Sequence, residues 1–408
     1  MRCVSTRGGT PVTLCEAIAK GLAPDGGLYV PELLPRVSIT VGALELSGVA
    51  QQLLAPYFVG EPLPLEDICR AAFTFDAPMT ALGDDFLLEL FHGPTAAFKD
   101  FGARFLAESL SRLGVTQTIL VATSGDTGAA VAAAFHQRPN LRVVILYPKG
   151  RVSARQAHQL GAFGGNVHAF RVNGTFDDCQ RMVKAALADE GLKSSLGSAN
   201  SISLGRLLPQ MAYFAAAASR SGGELNVVIP TGNLGNALAC LMAKQMGLPI
   251  GRVVLATNAN RVLPDFLHTG KYEARPSIAT LANAMDVGAP SNVERLQSWK
   301  LSPEADWVDD AAIRQTIVRT WKDHRVAICP HTACGVEVLR RLKEQGATGR
   351  WAVAATAHPA KFETIVEPLI GQRVPVPAAL QELLDRDSNA EPLPPTDAAL
   401  IARLGSAV

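Results

Sequence analysis

The stretch VVIPTGNLGNALACLMAKQMG, residues 227–247, runs from an unbroken apolar segment through a Gly-Asn-Leu-Gly turn into a helical pattern. A strand without polar alternation is buried on both faces, as a parallel sheet demands. Gly232 and Gly235 let backbone amides converge where the helix starts, and the partial positive charge there favours a phosphate. The turn lacks the Lys-Ser/Thr of a nucleotide P-loop and the G-x-G-x-x-G spacing of a dinucleotide fingerprint. A small phosphorylated ligand, or a plain strand-to-helix turn, fits what remains.

Outward from this stretch the rhythm repeats. TILVAT, LRVVILYP, VHAFRVNG, LNVVIP, RVVLAT and WAVAAT read as strands, with helical segments between them. DDCQRMVKAALADEG has the acidic start and terminal glycine of a helix, and Pro209 marks a kink or delayed start in SLGRLLPQMAYFAAAASRSGG. Strands alternating with helices predict parallel pairing in an α/β fold. The first eighty or so residues are richer in Pro and Gly, with APDGGLYVPE a turn leading into a strand; DSNAEPLPPTD, from residue 387, reads as a loop or linker before a short helix.

The totals bound the function. At 408 residues the chain predicts roughly two to three domains, and 48% apolar with 18% charged residues is the profile of an ordered soluble protein. A formal net charge of +1 without a basic block argues against nucleic acid or anionic membrane as principal partner. MRCVSTRGGT has no apolar core of a secretory signal, and no apolar run reaches a bilayer span. Seven widely spaced cysteines predict reduced thiols in the cytoplasm; Cys329 and Cys334 around His331 lack a second ligand pair, so no metal is expected.

Three further stretches carry chemistry. In VATSGDTGAAVA, Thr123, Ser124 and Thr127 crowd hydroxyls and amides at a helix start, which suits a carboxylate or phosphate; a capping turn with Ser124 or Asp126 as N-cap would look the same. In SANSISLGRLLPQ, Asn200, Ser201 and Arg206 offer neutral donors and a guanidinium able to take a phosphate bidentately. In HGPTAAFKDF, Lys99 stands among Phe98 and Phe101, apolar walls that would lower an amine's pKa. A carbonyl-reactive lysine, a phosphate cup and an anion-binding turn are the parts needed to hold pyridoxal phosphate and an amino acid.

With STRGG, GLAPDGGLYVPE, LFHGPTAAFKDF, ATSGDTG, VNGTFDDCQ, ANSISLGRLLPQ, PTGNLGN, NAMDVGAPSN and TAHPAKF in this order, the chain resembles the threonine synthase family of fold-type II pyridoxal-phosphate enzymes, bacterial and fungal branch. The resemblance covers nearly the whole length. It implies the tryptophan synthase β-like fold: two α/β domains with largely parallel sheets plus an N-terminal subdomain. The expected segments are 1–80 (N-terminal subdomain), 81–118 with 200–385 (large cofactor domain), 119–199 (small domain) and 386–408 (tail).

The resemblance further implies that Lys99 binds the cofactor covalently and acts as the catalytic amine. Gly232, Asn233, Leu234, Gly235 and Asn236 would wrap the cofactor phosphate, Thr356 would contact the pyridine nitrogen, and Asp126 would stand beside the phenolic oxygen. Thr123, Ser124 and Thr127 would hold the substrate carboxylate; Asn200, Ser201 and Arg206 would hold its phosphate. The implied reaction converts O-phospho-L-homoserine and water to L-threonine and phosphate by γ-elimination and β-hydration, in a monomer or homodimer.

Two positions depart from relatives. Many fold-type II enzymes carry Asn at the position of Asp126, and SIS stands where many family members read SIN. A carboxylate beside a phenolic oxygen predicts either a shared proton or a side chain turned to cap the helix near Gly128. A phospho-lyase giving a 2-keto acid from the same substrate is the nearest rival, and a non-catalytic phospho-ligand-binding protein is the rival from another class.

Overall fold

The computed structural model describes residues 1–39, 44–192 and 194–405. In it Leu225–Pro230 is a strand with every residue buried. Val227 and Ile229 pack into one apolar cluster with Leu238 and Ala239, whereas Val228 packs into another with Ala333 and Val338. Both faces of the strand are therefore covered, which is why its sequence shows no polar alternation.

This strand lies within a six-stranded sheet in the order Glu304–Trp307, Ile250–Thr257, Leu225–Pro230, Arg350–Ala355, Asp85–Glu89, Met79–Leu82. All neighbours are parallel except the last two, which form an antiparallel hairpin. A five-stranded, wholly parallel sheet follows the order Glu391–Leu393, Val167–Val172, Leu141–Pro148, Gln117–Ala122, Leu196–Ser198. The chain thus has the α/β architecture of a fold-type II enzyme. An antiparallel three-stranded sheet of Val12–Thr13, Arg2–Ser5 and Tyr29–Pro31 forms the N-terminal part.

Two readings of the sequence need correcting, and that of Pro209 as a kink or delayed start is made specific. The stretch from 387 is not only a linker: Glu391–Leu393 pairs beside Val167–Val172, and the helix Asp397–Gly405 buries Leu400 and Leu404 on the same apolar cluster as Met182 and Val183. Pro392 and the acidic surroundings hide the strand in sequence, but an edge position tolerates proline. The helix Phe176–Ala188 ends at Asp189 in extended conformation, before Gly191, so that glycine is not its C-cap. Around Pro209 the chain forms Leu204–Leu207, one 3₁₀ turn Leu208–Gln210 and the helix Met211–Arg220, so the proline divides the stretch. Of the expected segments, 1–80 includes residues 40–43, 119–199 includes residue 193 and 386–408 includes residues 406–408, all outside the described residues.

The carboxyl ends of Leu225–Pro230, Gln117–Ala122 and Arg350–Ala355 all open on one cavity of about 1040 Å³. In an open parallel sheet this is where a ligand sits, because the strand-to-helix turns gather there.

Candidate active site

Lys99 is the first residue of the helix Lys99–Arg112. The loop before it is clamped to the end of Arg350–Ala355: Phe98 N donates to Thr356 O at 2.9 Å and His358 N donates to Ala96 O at 3.0 Å. That clamp forces Ala96 to φ 54°, a strained left-handed value for a residue with a Cβ. The Lys99 side chain is 14% exposed, its Nζ 4.7 Å from the Phe98 ring centroid and 3.6 Å from Asp126 Oδ2. Burial lowers its pKa, the charges of Lys361 and Arg206 add to that, and Asp126 opposes it.

Phe101 is not part of this wall. It stands two positions along the helix, on the other side, and packs against Phe73, Phe75 and Tyr213 in the core. The dry wall of Lys99 is Phe98 alone among the two phenylalanines.

Asp126 opens the helix Asp126–Phe135 but makes no capping bond. Thr123 does that work: its Oγ1 accepts from Gly125 N at 3.0 Å and Gly128 N at 2.9 Å. The Asp126 carboxylate instead accepts from Gln156 Nε2 at 2.9 Å and lies 2.7 Å from Lys361 Nζ. Burial pushes its carboxyl up, but Lys361 and Lys99 outweigh that and hold it below the usual carboxylate range. The helix-capping alternative for Asp126 is therefore excluded in this structure.

His331, buried behind this group, accepts from Ala284 N at 3.0 Å through Nε2. Burial drives its pKa down to about 3, so it stands as neutral imidazole. Cys329 caps the helix Pro330–Glu344 through Sγ.

The phosphate cup is built from the turn after Pro230. Leu234 takes φ 65°, which lets the helix Gly235–Gln245 start at the cavity wall. The first-turn amides have no carbonyl partner within that helix; Ala237 N is taken by Asn236 Oδ1 at 3.0 Å, which leaves those of Gly235 and Asn236, both on the cavity lining, for an anion. Gly232 is required by close approach: a Cβ there would lie 2.8 Å from Met285 Cα. Asn236 is spent on the turn itself, accepting from Thr231 Oγ1 at 2.8 Å and donating to Pro230 O at 3.0 Å.

Beside the cup, Asn233 Nδ2 donates to Ser201 Oγ at 2.6 Å. Asn292 Nδ2 ties the same two loops through Asn233 O at 2.9 Å and Ser201 O at 3.3 Å. Arg295, fully buried, holds Asn292 Oδ1 at 2.7 Å and the carbonyls of Tyr29 and Ile202. Arg206 is 2% exposed and donates through Nη1 to Ala199 O at 2.6 Å. Its Nε is buried and without a partner among the described residues, and burial pulls its pKa down to about 10. A buried guanidinium with an unpartnered donor and no ion pair among the described residues suits an anion in the adjoining cavity.

Of the cofactor- and substrate-binding residues expected from sequence, all but Leu234 line this cavity; Leu234 is fully buried and contributes backbone conformation. Sequence reading missed Lys361, Gln156, Asn292 and Arg295. Lys361 had a signal, since in TAHPAKF it lies between Ala360 and Phe362, an apolar setting like the phenylalanines near Lys99.

These residues fit pyridoxal phosphate: a lysine of lowered pKa, an amide cup and an open cation surround one cavity. Family models agree. Residues 80–359 match "Pyridoxal-phosphate dependent enzyme", residues 2–73 "Threonine synthase N terminus" and residues 332–404 "Threonine synthase, C-terminal". The chain is 41% identical to the threonine synthase of Escherichia coli K12 over 95% of both chains. The crystal structure of an Escherichia coli threonine synthase superposes with TM-score 0.91 at 39% identity over the full length of both. A pyridoxal-phosphate-bound threonine synthase from Brucella melitensis gives 0.88 at 34% identity, covering 99% of this chain and 98% of that one.

Proposed function

The chain belongs to the threonine synthase family of pyridoxal-phosphate-dependent enzymes, and from that premise we propose how its own residues divide the work. The family's reaction takes O-phospho-L-homoserine and water to L-threonine and phosphate. Pyridoxal phosphate supplies the electron sink that makes the substrate's α and β protons acidic.

Lys99, Asp126, Thr356 and the 232–236 turn would hold the cofactor, with Lys99 as the amine that reaches its carbonyl group. Thr123, Ser124 and Thr127 take the substrate carboxylate; the Thr123 oxygen already accepts two amides, so its hydroxyl proton is what it has left to give. Asn200, Ser201 and Arg206 take the substrate phosphate. Lys99 Nζ removes the α proton and carries protons at later carbons, and burial lowers that amine's pKa, which favours its neutral form. Arg206 steadies the charge of the departing phosphate.

The observation that carries this reading is the buried Arg206 guanidinium, in no ion pair among the described residues, on the lining of the cavity that Lys99 enters. The test is to incubate the holoenzyme with O-phosphohomoserine and identify the products. Threonine with equimolar phosphate is expected; a 2-keto acid with phosphate would overturn the hydration step, and no phosphate release would overturn the phosphate site.

The five-stranded sheet with its helices, joined by the tail from 386, serves as the smaller domain (119–199 in sequence). We place the enzyme in the cytoplasm as a monomer or homodimer. Support comes from cysteines that are free and buried among the described residues, and no described helix is long and apolar enough to cross a membrane.

A further inference from the structure

Asp126 stands between two lysines. Its Oδ1 is 2.7 Å from Lys361 Nζ and its Oδ2 is 3.6 Å from Lys99 Nζ. Lys361 is fully buried in the 3₁₀ turn Pro359–Phe362 and gives another N–H to Thr95 O at 2.8 Å. One buried carboxylate balances one buried ammonium; a second cation beside it is left to lose its proton. The shorter contact identifies which lysine Asp126 serves. On the reading of the site given above, we propose that Lys361 is a positioning residue for the reaction: it supplies Asp126's counter-charge and so releases the Lys99 amine for proton transfer.

The other groups around the pair replace neither partner, although Asp100 and His358 also feel the charge of Lys361. Asp100 is occupied by Thr95, accepting from its N at 2.9 Å and its Oγ1 at 2.6 Å. His331 accepts at Nε2 and contributes no charge. The Cys329 thiol, raised by burial, is neutral, and Arg206 adds only further positive charge near Lys99. Gln156 cannot replace the lysine, because its amide is shared between Asp126 and Asn283. Without Lys361, the nearest cation to the Asp126 carboxylate is Lys99, and pairing would hold that amine protonated.

The experiment follows bound cofactor by its visible absorption as pH is varied, in the parent, Lys361→Met, Lys361→Arg and the double variant Asp126→Asn/Lys361→Met. In Lys361→Met the proton-linked absorption change is expected to move upward by about one pH unit or more, a tenfold change in proton affinity, with kcat falling and KM little moved. Lys361→Arg and the neutral double variant should titrate close to the parent, and the double variant should resist denaturant better than Lys361→Met, which leaves a lone buried charge. A Lys361→Met titration that overlays the parent's sinks the proposal. If Lys361→Met fails to fold, the double variant decides: folded with parental titration supports the pairing, and equal instability shows a packing role and overturns it. Lys99→Ala separates the two readings. If that variant keeps a parental spectrum, the site assignment itself has failed; if it loses the spectrum while Lys361→Met titrates normally, only this inference has.

Discussion

A lysine amine accepts a proton only while uncharged, and burial against Phe98, with Lys361 and Arg206 nearby, lowers the pKa of Lys99 and so favours that form. Lys99→Ala should therefore abolish threonine formation while the denaturant midpoint stays near the parent's, since the side chain lines a cavity and supports no packing. Retained turnover in a clean preparation would refute the assignment. Arg206 poses the complementary case, a cation whose Nε has no internal partner. Its replacement by Ala removes a charged hydrogen bond to a buried phosphate, which costs on the order of 2–5 kcal/mol. We expect kcat/KM for O-phosphohomoserine to fall accordingly while cofactor content is unchanged. If the constants hardly move, the phosphate binds elsewhere.

At the scale of elements, the site depends on how closely segments from different sheets approach. Gly102 lies one turn into the helix that Lys99 opens, and a Cβ there would meet Arg206 O at 2.7 Å. Gly102→Ala should cost about 1–3 kcal/mol of stability, as overpacking does, and should lower kcat/KM by moving Arg206. A stability loss with unchanged kinetics would show that Arg206 does not feel the helix. Asn292 likewise joins two loops that share no chain continuity, the cofactor cup at Asn233 and the substrate loop at Ser201. Asn292→Ala leaves two carbonyls with one donor fewer each, about 1–3 kcal/mol apiece where no water replaces it. It is expected to loosen the cofactor on dialysis and raise KM together; an effect on only one of them would separate the loops.

Across the whole molecule, buried imidazoles set the acid limit of stability. Burial lowers His358 to about 4 and His331 to about 3, from an ordinary value of 6.5. The unfolded chain then binds more protons than the folded one between those values and 6.5, so stability must fall as pH drops through that window. The carboxylate of Asp126 works at lower pH, adding stability that is lost only below the ordinary Asp value of 3.8. His358 accepts from Ala360 N at 3.1 Å as an N-cap, a task Asn can take over. In His358→Asn the decline from pH 6.5 to pH 4 should be shallower by at most about 1.4 kcal/mol per unit. Equal slopes in denaturant titrations of parent and variant would show that His358 is not held neutral.

What the residues determined by themselves was local. An unbroken apolar run implies a strand covered on both faces, glycines at 232 and 235 imply a tight turn into a helix, and Arg, Asn and Ser at a helix start imply an anion. Such signals lie within a few residues of one another, because turn geometry and side-chain periodicity are short-range. The strand at Glu391–Leu393 escaped because its partner Val167–Val172 is distant in the chain and its own composition is that of a loop. Lys361 escaped as the partner of Asp126 for the same reason, and Phe101 was misplaced because its direction depends on which face of the helix meets the core. Sequence names the chemistry available at each turn. Which charge balances which is decided by the packing of two sheets against one cavity, where low dielectric makes a difference between 2.7 and 3.6 Å consequential.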